Sequence, residues 1–337
     1  MSRIAVIGAG AWGTGLSIVL GRRGAHAVSL WALEAEVCES IRARRVNEKF
    51  LPGQLIPEGV SATSSLEAVV AGAEIIVMAV PSQHYRRVLE NMRPHLRPDS
   101  LFVSATKGLE EETLLRMSEV VDAVLRNEGG FSPRVGALSG PSFAKEVARG
   151  DPTAITIASR DSALAETVQR EFSDPRFRIY RNDDVVGVEL GGALKNIIAI
   201  AAGVCDGLGL GHNSVAALIT RGLAEITRLA VACGGRAETM AGLAGLGDLV
   251  LTCTGGLSRN RSVGVELGRG RKLPEIISSM HGAVAEGVFT THAAVGLAAA
   301  RSVEMPITEQ MYAILYGGKA PGDAIHELMT RSAKSES

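Results

Sequence analysis

A lysine and an asparagine interrupt a nearly all-apolar stretch in the middle of the chain. Residues 185–203 read VVGVELGGALKNIIAIAAG, which is typical of a helix buried on most sides. Lysine is almost never fully buried without a partner, and burial beside another cation lowers its pKa towards the range that general acid/base catalysis requires. Lys195 is therefore a candidate proton donor, with Asn196 beside it. The alternative is a lysine whose stem covers apolar neighbours while its ammonium group reaches the surface.

A second lysine follows a strand-like run. The sequence Ser104-Ala105-Thr106-Lys107-Gly108 places a cation at the carboxyl end of a strand, where parallel sheets bind ligands. Hydride transfer to a ketone builds negative charge on the carbonyl oxygen, so two lysines could stabilise that charge while one delivers a proton. The pair favours ketone reduction. A solvated loop cation is the alternative for Lys107.

Residues 242–261 contain more hydrogen-bonding side chains than a connection between helices requires. Arg259 offers a planar fork for two phosphate oxygens, and Ser258 and Asn260 add donors. Free N–H groups after Gly255-Gly256 would complete an anion site. This segment predicts a phosphate-recognition loop, and the alternative for Arg259 is a surface ion pair.

An acid and two glycines are expected close to Lys195. Asp248 can only accept hydrogen bonds, so it could orient the lysine ammonium or accept from a substrate hydroxyl. Its alternative role is a helix N-cap. Gly191 and Gly192, one helical turn before the lysine, are expected to leave room for a ligand.

A glycine-rich loop predicts a dinucleotide site near the N-terminus. Gly8-Ala9-Gly10-Ala11-Trp12-Gly13 follows a strand-like run and precedes the helical run Thr14–Arg22, which is the context that the G-x-G-x-x-G pattern requires. The first glycine allows the tight turn, the second a close approach of the pyrophosphate, and the third the packing of helix on strand. A turn that serves packing alone, or a site for FAD, would show the same pattern.

The preferred dinucleotide is left open by the residues after the second strand-like run. An acid there would favour NAD and an arginine NADP, but Ala32-Leu33 occupies the position. Glu34 is the nearest acid, and Arg42, Arg44 and Arg45 are basic groups that could turn towards a 2′-phosphate. A solvated helix face is the alternative for all four.

Alternating strand-like and helical segments occupy the first half of the 337-residue chain, and a purely helical pattern follows from residue 183. The former predicts a parallel sheet covered by helices, with candidate site loops at 80–82, 107–108 and 139–141. We expect a dinucleotide-binding domain over 1–182, an all-helical domain over 183–332 and a disordered tail over 333–337. The strand-like runs are 3–7, 27–31, 74–80, 101–104, 135–138, 154–158 and 177–180.

Bulk composition excludes several classes of protein. The 35 Lys+Arg nearly balance 36 Asp+Glu, so nothing suggests a nucleic-acid binder. The four cysteines form no C-x-x-C pair and no histidine stands at metal-ligand spacing, which argues against a metal site and a disulfide framework. There is no signal-peptide pattern, and no apolar stretch approaches the ~18 residues of a membrane span, so we expect a cytoplasmic protein without membrane insertion.

Taken together, several motifs resemble the bacterial NAD(P)-dependent glycerol-3-phosphate dehydrogenases over nearly the whole chain. They are GAGAWGT at 8–14, Asn47 with FLPG at 50–53, KG at 107–108, GPSFA at 140–144, GGALKN at 191–196, and GLGD at 245–248 continuing to RN at 259–260. Sister families with the same architecture, such as 3-hydroxyisobutyrate and 6-phosphogluconate dehydrogenases, share the glycine loop and a helix lysine but not the run from 248 to 260.

The resemblance implies reversible reduction of dihydroxyacetone phosphate to sn-glycerol 3-phosphate, a precursor of phospholipids, by a homodimer. It implies a Rossmann-type doubly wound α/β domain followed by a 6-phosphogluconate-dehydrogenase-like helical domain, with Lys195 as proton donor and acceptor. Residues implied around the substrate are Lys107, Gly140, Ser142, Lys195, Asp248, Ser258, Arg259 and Asn260, supported by Asn196 and Thr252. Residues expected around the cofactor are Gly8, Gly10, Ala11, Trp12, Gly13, Lys107, Ala144, Arg259, Val284 and Glu286.

One departure and two rival functions accompany this resemblance. Many bacterial members carry His or Arg at the position of Ala32-Leu33, so either NADPH or NADH is expected as the cofactor. A 3-hydroxy-acid dehydrogenase of the same architecture would bind a substrate carboxylate at Arg259. A dinucleotide-sensing protein without chemistry would need no pair of lysines at the nicotinamide.

Overall fold

An eight-stranded, mainly parallel sheet fills the first part of the chain in the computed structural model, which describes residues 2–127, 130–280 and 284–333. The predicted tail therefore lies largely outside the described residues. Each of the seven strand-like runs forms a strand of this sheet. The strands, in order across the sheet, are β10 (Phe177–Asn182), β9 (Thr153–Ala158), β8 (Arg134–Ser139), β7 (Leu101–Ser104), β6 (Ile75–Met78), β1 (Ser2–Ile7), β2 (His26–Trp31) and β5 (Val60–Thr63).

The central strands are buried on both faces, which explains their continuous apolar runs. All four residues of β6 and of β7 are buried, and parallel pairing sets Ile4 of β1 opposite Ile75 of β6. The predicted parallel, helix-covered sheet is confirmed, with one antiparallel pairing. β8 and β9 pair antiparallel, so β9 and β10 run against the other strands. A doubly buried strand is apolar whichever way it runs, so the sequence held no sign of this reversal.

Helices cover both faces of the sheet. Neither β5 nor a small antiparallel hairpin of β3 (Val46–Asn47) and β4 (Leu51–Leu55) was predicted. β5 is only four residues long, β3 only two, and β4 contains the strand-weakening residues Pro52 and Gly53. The helices here are α1 (Ala11–Arg22), α2 (Ala35–Arg44), α3 (Leu66–Val70), α4 (Ser82–Met92), α5 (Met117–Asp122), α6 (Ala144–Arg149) and α7 (Ser162–Phe172), with a 3-10 turn at Arg93–His95 and a π-helical turn at Ala123–Asn127.

The chain after β10 is helical throughout its described part. The helices are α8 (Val185–Gly207), α9 (His212–Ala232), α10 (Ala237–Met240), α11 (Asp248–Thr254), α12 (Arg259–Gly268), α13 (Leu273–Ser279), α14 (Glu286–Ala300), α15 (Pro306–Gly317) and α16 (Pro321–Met329), with a π-helical turn at Leu243–Gly247. They pack around α8, whose residues from Val186 to Cys205 are all buried. The apolar stretch that carries Lys195 is thus the core of this part of the protein.

The length and composition of α8 would allow it to cross a membrane, contrary to the expectation that no apolar stretch is long enough. However, 94% of its most apolar window is buried inside the protein. Burial on most sides, as its pattern predicted, accounts for this composition without a membrane.

A buried ion pair fixes α8 against the sheet. Glu189 of α8 accepts hydrogen bonds from Arg116 (2.6 Å) and from the Oγ of Ser118 (2.6 Å). Burial raises the pKa of Glu189, and the Arg116 guanidinium opposes that rise. Sequence analysis did not single out Glu189. Its contacts hold α8 against the segment after β7, which also carries Lys107.

Candidate active site

One carboxylate bridges two lysine ammonium groups between the sheet edge and the helices. Lys195 of α8 is only 6% exposed, and its Nζ donates to Asp248 Oδ1 and to Thr252 Oγ1 (2.7 Å). The other carboxylate oxygen of Asp248 accepts from Lys107 Nζ at 2.6 Å. Lys195 therefore does not reach the surface. Asp248 opens α11 but its side chain caps no backbone N–H, so the N-cap alternative does not hold.

Lys107 is held by the loop after the neighbouring strand. Its Nζ donates to Gly140 O (2.8 Å) and to Ser142 Oγ (3.4 Å), while Ser142 Oγ donates to Gly140 O (2.8 Å). With Asp248, these contacts occupy all three donor positions of the ammonium group. Lys107 is thus a member of the buried network rather than a solvated loop cation, and two of the three loops predicted from the sequence meet at it.

The electrostatics of this network prepare one lysine to exchange a proton. Burial lowers the pKa of Lys195 to about 8, the Asp248 carboxylate opposes this fall, and the Lys107 ammonium adds to it. Burial alone would raise the pKa of Asp248, but the two lysines hold it below its ordinary value. Two of the three donors of Lys195 are used by Asp248 and Thr252, so one N–H is left for a ligand.

Two asparagine amides connect the lysine helix to α12 and α14. Asn196 Nδ2 donates to Lys107 O (3.2 Å), and Asn196 Oδ1 accepts from Asn260 Nδ2 (2.9 Å). Asn260 Oδ1 in turn accepts from the backbone N–H of Gly287 (2.9 Å). Asn260 is therefore engaged mainly with the protein, and one of its two side-chain N–H donors has no partner within the described residues.

The start of α12 presents an exposed guanidinium. Ser258 is the N-cap and accepts from the backbone N–H of Arg261 (3.2 Å), so its hydroxyl serves the helix. Arg259 is the first helical residue; burial lowers the pKa of its guanidinium, and the Glu286 carboxylate opposes that fall. Glu286 is thus its electrostatic partner, although the two groups form no direct ion pair within the described residues. A cation with unused donors at a helix N-terminus is suited to an anion.

The glycine loop has the geometry of a pyrophosphate cradle. Gly8 has φ +115°, and a Cβ there would lie 2.7 Å from Ala79 O. A Cβ on Gly13 would lie 1.9 Å from Gly8 O, whereas one on Gly10 would meet nothing within 4 Å. No side chain caps α1, which begins at Ala11, so its first N–H groups are available to an anion. The Nε1 of Trp12 is buried without a partner in the described structure.

Glu286 connects this loop region with the lysines. Its carboxylate accepts from Ser82 Oγ (2.6 Å) and from the backbone N–H of Ser82 (3.1 Å), and burial raises its pKa. A Cβ on Gly108, the residue after Lys107, would lie 2.6 Å from Ser82 Oγ and 2.9 Å from Glu286 Oε2. The expected cofactor residues are thus continuous with the lysine network.

Two expected cofactor residues make less direct contributions. Ala144 begins α6 and packs closely against α1. The closeness is shown by Gly15 of α1, where an added Cβ would lie 3.2 Å from Ala144 O. Val284 is half-buried two residues before Glu286 and directly follows the undescribed residues 281–283. Neither side chain carries a polar group, so each can contribute only backbone groups and van der Waals contact.

The space beside Gly191 and Gly192 is filled by the protein, so the expectation that it admits a ligand is wrong. A Cβ on Gly191 would lie 2.7 Å from Ala244 O, and one on Gly192 would lie 2.4 Å from Ser139 Oγ. These glycines instead let the turn before Asp248 and the end of β8 approach α8 closely.

Comparison with known proteins agrees with this geometry. The family model for the NAD-dependent glycerol-3-phosphate dehydrogenase N-terminus matches residues 3–165, and the model for the C-terminus of the same enzymes matches 184–326. The chain belongs to the NAD(P)-dependent glycerol-3-phosphate dehydrogenase family. Within the described residues, no group of three or more His, Cys, Asp or Glu side chains could hold a metal ion.

Individual relatives match along the whole chain. A glycerol-3-phosphate dehydrogenase [NAD(P)+] of Koribacter versatilis is 69% identical over 100% of this chain and 99% of its own, and one of Geobacter sulfurreducens is 54% identical over 99% and 98%. The crystal structure of glycerol-3-phosphate dehydrogenase from Coxiella burnetii superposes with a TM-score of 0.93 at 42% identity, covering 98% of this chain and 99% of that one. Family membership therefore extends over both the sheet and the helices.

The structure gives Asn47 a role that the sequence did not reveal. Its side chain is fully buried, and Nδ2 donates to Ala9 O (2.8 Å) and Thr14 Oγ1 (2.9 Å) while Oδ1 accepts from Phe50 N (3.1 Å). The amide thus clamps the glycine loop to the hairpin. Asn47 appeared only as part of a family motif, and the isolated asparagine before the FLPG turn gave no other signal.

We expect Asn47→Ala to weaken cofactor binding while sparing the chemical step. Loss of the amide leaves buried groups without partners at about 1–3 kcal/mol each, so the KM for the nicotinamide cofactor should rise about tenfold with kcat within about twofold. Thr14→Val removes one of the two contacts and should cause a smaller rise. Steady-state kinetics with varied cofactor measures both. An unchanged cofactor KM in Asn47→Ala would contradict the clamp.

Proposed function

We propose that this chain reduces dihydroxyacetone phosphate to sn-glycerol 3-phosphate with a reduced nicotinamide dinucleotide, and catalyses the reverse reaction. Family membership supports the substrate and the cofactor class. The observation that carries the proposal is the buried Lys195 ammonium, which has one unused N–H and a pKa of about 8. Such a group both stabilises a developing alkoxide and supplies its proton.

In the proposed mechanism, the residues divide into a proton donor and groups that hold it. Lys195 donates a hydrogen bond to the ketone oxygen and then transfers its proton as that oxygen becomes a hydroxyl. Asp248 and Thr252 fix the direction of the ammonium group. Lys107, whose donors are all used, acts through Asp248 and through its positive charge, which favours proton release from Lys195. In the reverse direction neutral Lys195 accepts the proton.

The N-terminus of α12 is the proposed phosphate site. Arg259 is a cation with unused donors there, and its own N–H and that of Asn260 lie in the first turn of the helix. Asn260, in this turn, donates a hydrogen bond to Asn196, which directly follows Lys195 in the sequence. The two amides thus connect the proposed phosphate site to the lysine helix. Binding the phosphate end orients a small ketone, and that binding energy can support the transition state.

The residues at the end of β1 fit a dinucleotide. Gly8, Gly10 and Gly13 form the cradle, and the uncapped α1 N-terminus offers N–H groups to the pyrophosphate. When bound, the nicotinamide supplies the hydride. Glu286 and Ser82 would position the loop after β6 next to this cradle.

Further parts of the proposal concern the molecule as a whole. We infer a cofactor-binding domain over 1–182 and a substrate domain over 183–332, because the sheet ends at Asn182 and α8 begins at Val185. We also infer a cytoplasmic homodimer that supplies a precursor of membrane phospholipids. All four cysteines are free thiols, which suits a reducing compartment.

A comparison of phosphorylated and unphosphorylated ketones tests this proposal. Wild-type protein should oxidise NADH or NADPH with dihydroxyacetone phosphate, and far more slowly with dihydroxyacetone. Arg259→Ala should raise the KM for the phosphorylated ketone about 10–100-fold through loss of charge-assisted hydrogen bonds, without changing turnover of dihydroxyacetone. Arg269→Ala, at the other end of α12, is the matched control. Turnover of 3-hydroxy acids instead would replace this substrate assignment by the rival one.

A further inference from the structure

The carboxyl end of β2 carries charged side chains that the proposed mechanism does not use. Glu34 is the residue before α2, and its carboxylate caps no N–H of that helix. Lys49, at the turn of the β3–β4 hairpin, places Nζ 3.4 Å from Glu34 and 2.7 Å from Glu36. We call Glu34, Glu36 and Lys49 the β2-end triad. Two carboxylates and one ammonium leave this triad with a net negative charge.

The β2-end triad adjoins the glycine loop on two sides. Gly8 N donates to Trp31 O at the end of β2 (3.1 Å), which places the start of the loop directly beside that strand. Asn47, two residues before Lys49, donates to Ala9 O in the same loop. Side chains just after this strand meet the adenine ribose in a dinucleotide site, where an acid suits a free 2′-hydroxyl and an arginine a 2′-phosphate. Glu34 is the first acid after β2, behind Ala32 and Leu33.

The arginines that could have received a 2′-phosphate are engaged elsewhere. Arg42 donates to Ala62 O from Nε (3.2 Å) and Nη2 (3.1 Å), and Arg45 donates to Ile56 O (3.1 Å). Arg44 donates to Ser40, one turn earlier on the same helix. The cation that pairs with the carboxylates at the end of β2 is Lys49, which Glu34 and Glu36 share.

Resting on the proposed function, we propose that the β2-end triad selects NAD(H) over NADP(H), with Glu34 accepting a hydrogen bond from the 2′-hydroxyl of the adenine ribose. A 2′-phosphate would bring up to two further negative charges beside Glu34 and Glu36, and juxtaposed like charges oppose binding. Lys49 orients Glu34 and offsets only part of this repulsion. The exposed Leu33, directly before Glu34, offers a phosphate no donor from its side chain.

Equilibrium binding of NADH and NADPH, followed by cofactor fluorescence without substrate, tests this proposal. Wild-type protein should bind NADH at least about tenfold more tightly than NADPH. Glu34→Gln keeps the size of the side chain, weakens its acceptor and removes one charge, so it should lower that preference about tenfold. Glu39→Gln removes the same charge from an exposed residue of α2 outside the triad, and should change the preference less than about twofold. Because both cofactors are measured on each variant, partial misfolding affects both alike.

Competition by adenosine fragments locates the effect at the 2′ position. 5′-AMP and 2′,5′-ADP differ only in the 2′-phosphate, and wild type should prefer 5′-AMP while Glu34→Gln loses this preference. Equal binding of NADH and NADPH to wild type, an unchanged preference in Glu34→Gln, or an equal change in Glu39→Gln would overturn the role of Glu34. Failure of wild type to bind any of these nucleotides would overturn the proposed dinucleotide function as well.

Discussion

Replacement of Lys195 by methionine should lower kcat for reduction of dihydroxyacetone phosphate about 10²–10⁴-fold, the usual contribution of a positioned general acid. Methionine keeps the length of the buried stem but provides no proton and no positive charge at the ketone oxygen. The glycine loop lies on β1 and α1, away from the substitution, so the Kd for NADH should stay within about twofold. Stopped-flow or steady-state absorbance of NADH measures the first quantity and fluorescence titration the second.

A matched control separates loss of chemistry from loss of a cation. Lys272 is exposed at the start of α13, and its side chain caps no backbone group. Lys272→Met should therefore keep wild-type kcat. If Lys195→Met retained kcat within about tenfold, the proton would have to come from another group, and the account of the network would be wrong.

Replacement of Asp248 by asparagine should damage both stability and activity. The carboxylate is 1% exposed and is the anion between Lys107 and Lys195, so its removal leaves two buried ammonium groups together without a counter-charge. Breaking a buried ion pair by removing one partner costs about 3–5 kcal/mol, which urea denaturation would detect. Without the carboxylate that raises it, the pKa of Lys195 should fall further, so the proton needed for reduction is lost at neutral pH.

Thr252→Val provides the comparison for Asp248→Asn. It removes a neutral hydrogen-bond acceptor of Lys195 while leaving the ion pairs intact, so its effect on unfolding should be only about 1 kcal/mol. Equal stability of Asp248→Asn and wild type, together with an unchanged kcat, would show that the carboxylate does not balance the two lysines.

Local sequence patterns were sufficient to predict the main elements. The Gly8–Gly13 loop is identified by the spacing of its glycines, and the helix around Lys195 by its continuous apolar residues. Both patterns extend over only a few turns of the chain. Their positions therefore follow from residues that are close in the sequence. The direction of β9 could not be predicted, because its apolar residues can be buried equally well in a parallel or an antiparallel strand. The two-residue strand Val46–Asn47 is too short to show a sequence pattern.

The contacts that assemble the site join distant parts of the sequence. Ser82 and Glu286 are 204 residues apart, and Lys107 and Asp248 are 141 residues apart. Residue type suggested that Lys107, Lys195 and Asp248 could meet, because buried charges require partners. Nothing local indicated the contact between Ser82 and Glu286, since a serine at the start of a helix can form hydrogen bonds with many kinds of partner, and its burial is decided by the fold.

The pH dependence of kcat/KM for dihydroxyacetone phosphate reduction tests the role of Lys195 most directly, because kcat/KM reports the ionisation of the unliganded enzyme. Because reduction requires the protonated ammonium, kcat/KM should be constant below about pH 8 and fall tenfold per pH unit above the pKa of Lys195, while kcat/KM for oxidation of sn-glycerol 3-phosphate should rise through the same range. The residual activity of Lys195→Met should lack this transition. A profile that is flat from pH 6 to 10 (roughly two units either side of that pKa), or a transition that survives in Lys195→Met, would contradict the assignment of the proton to Lys195.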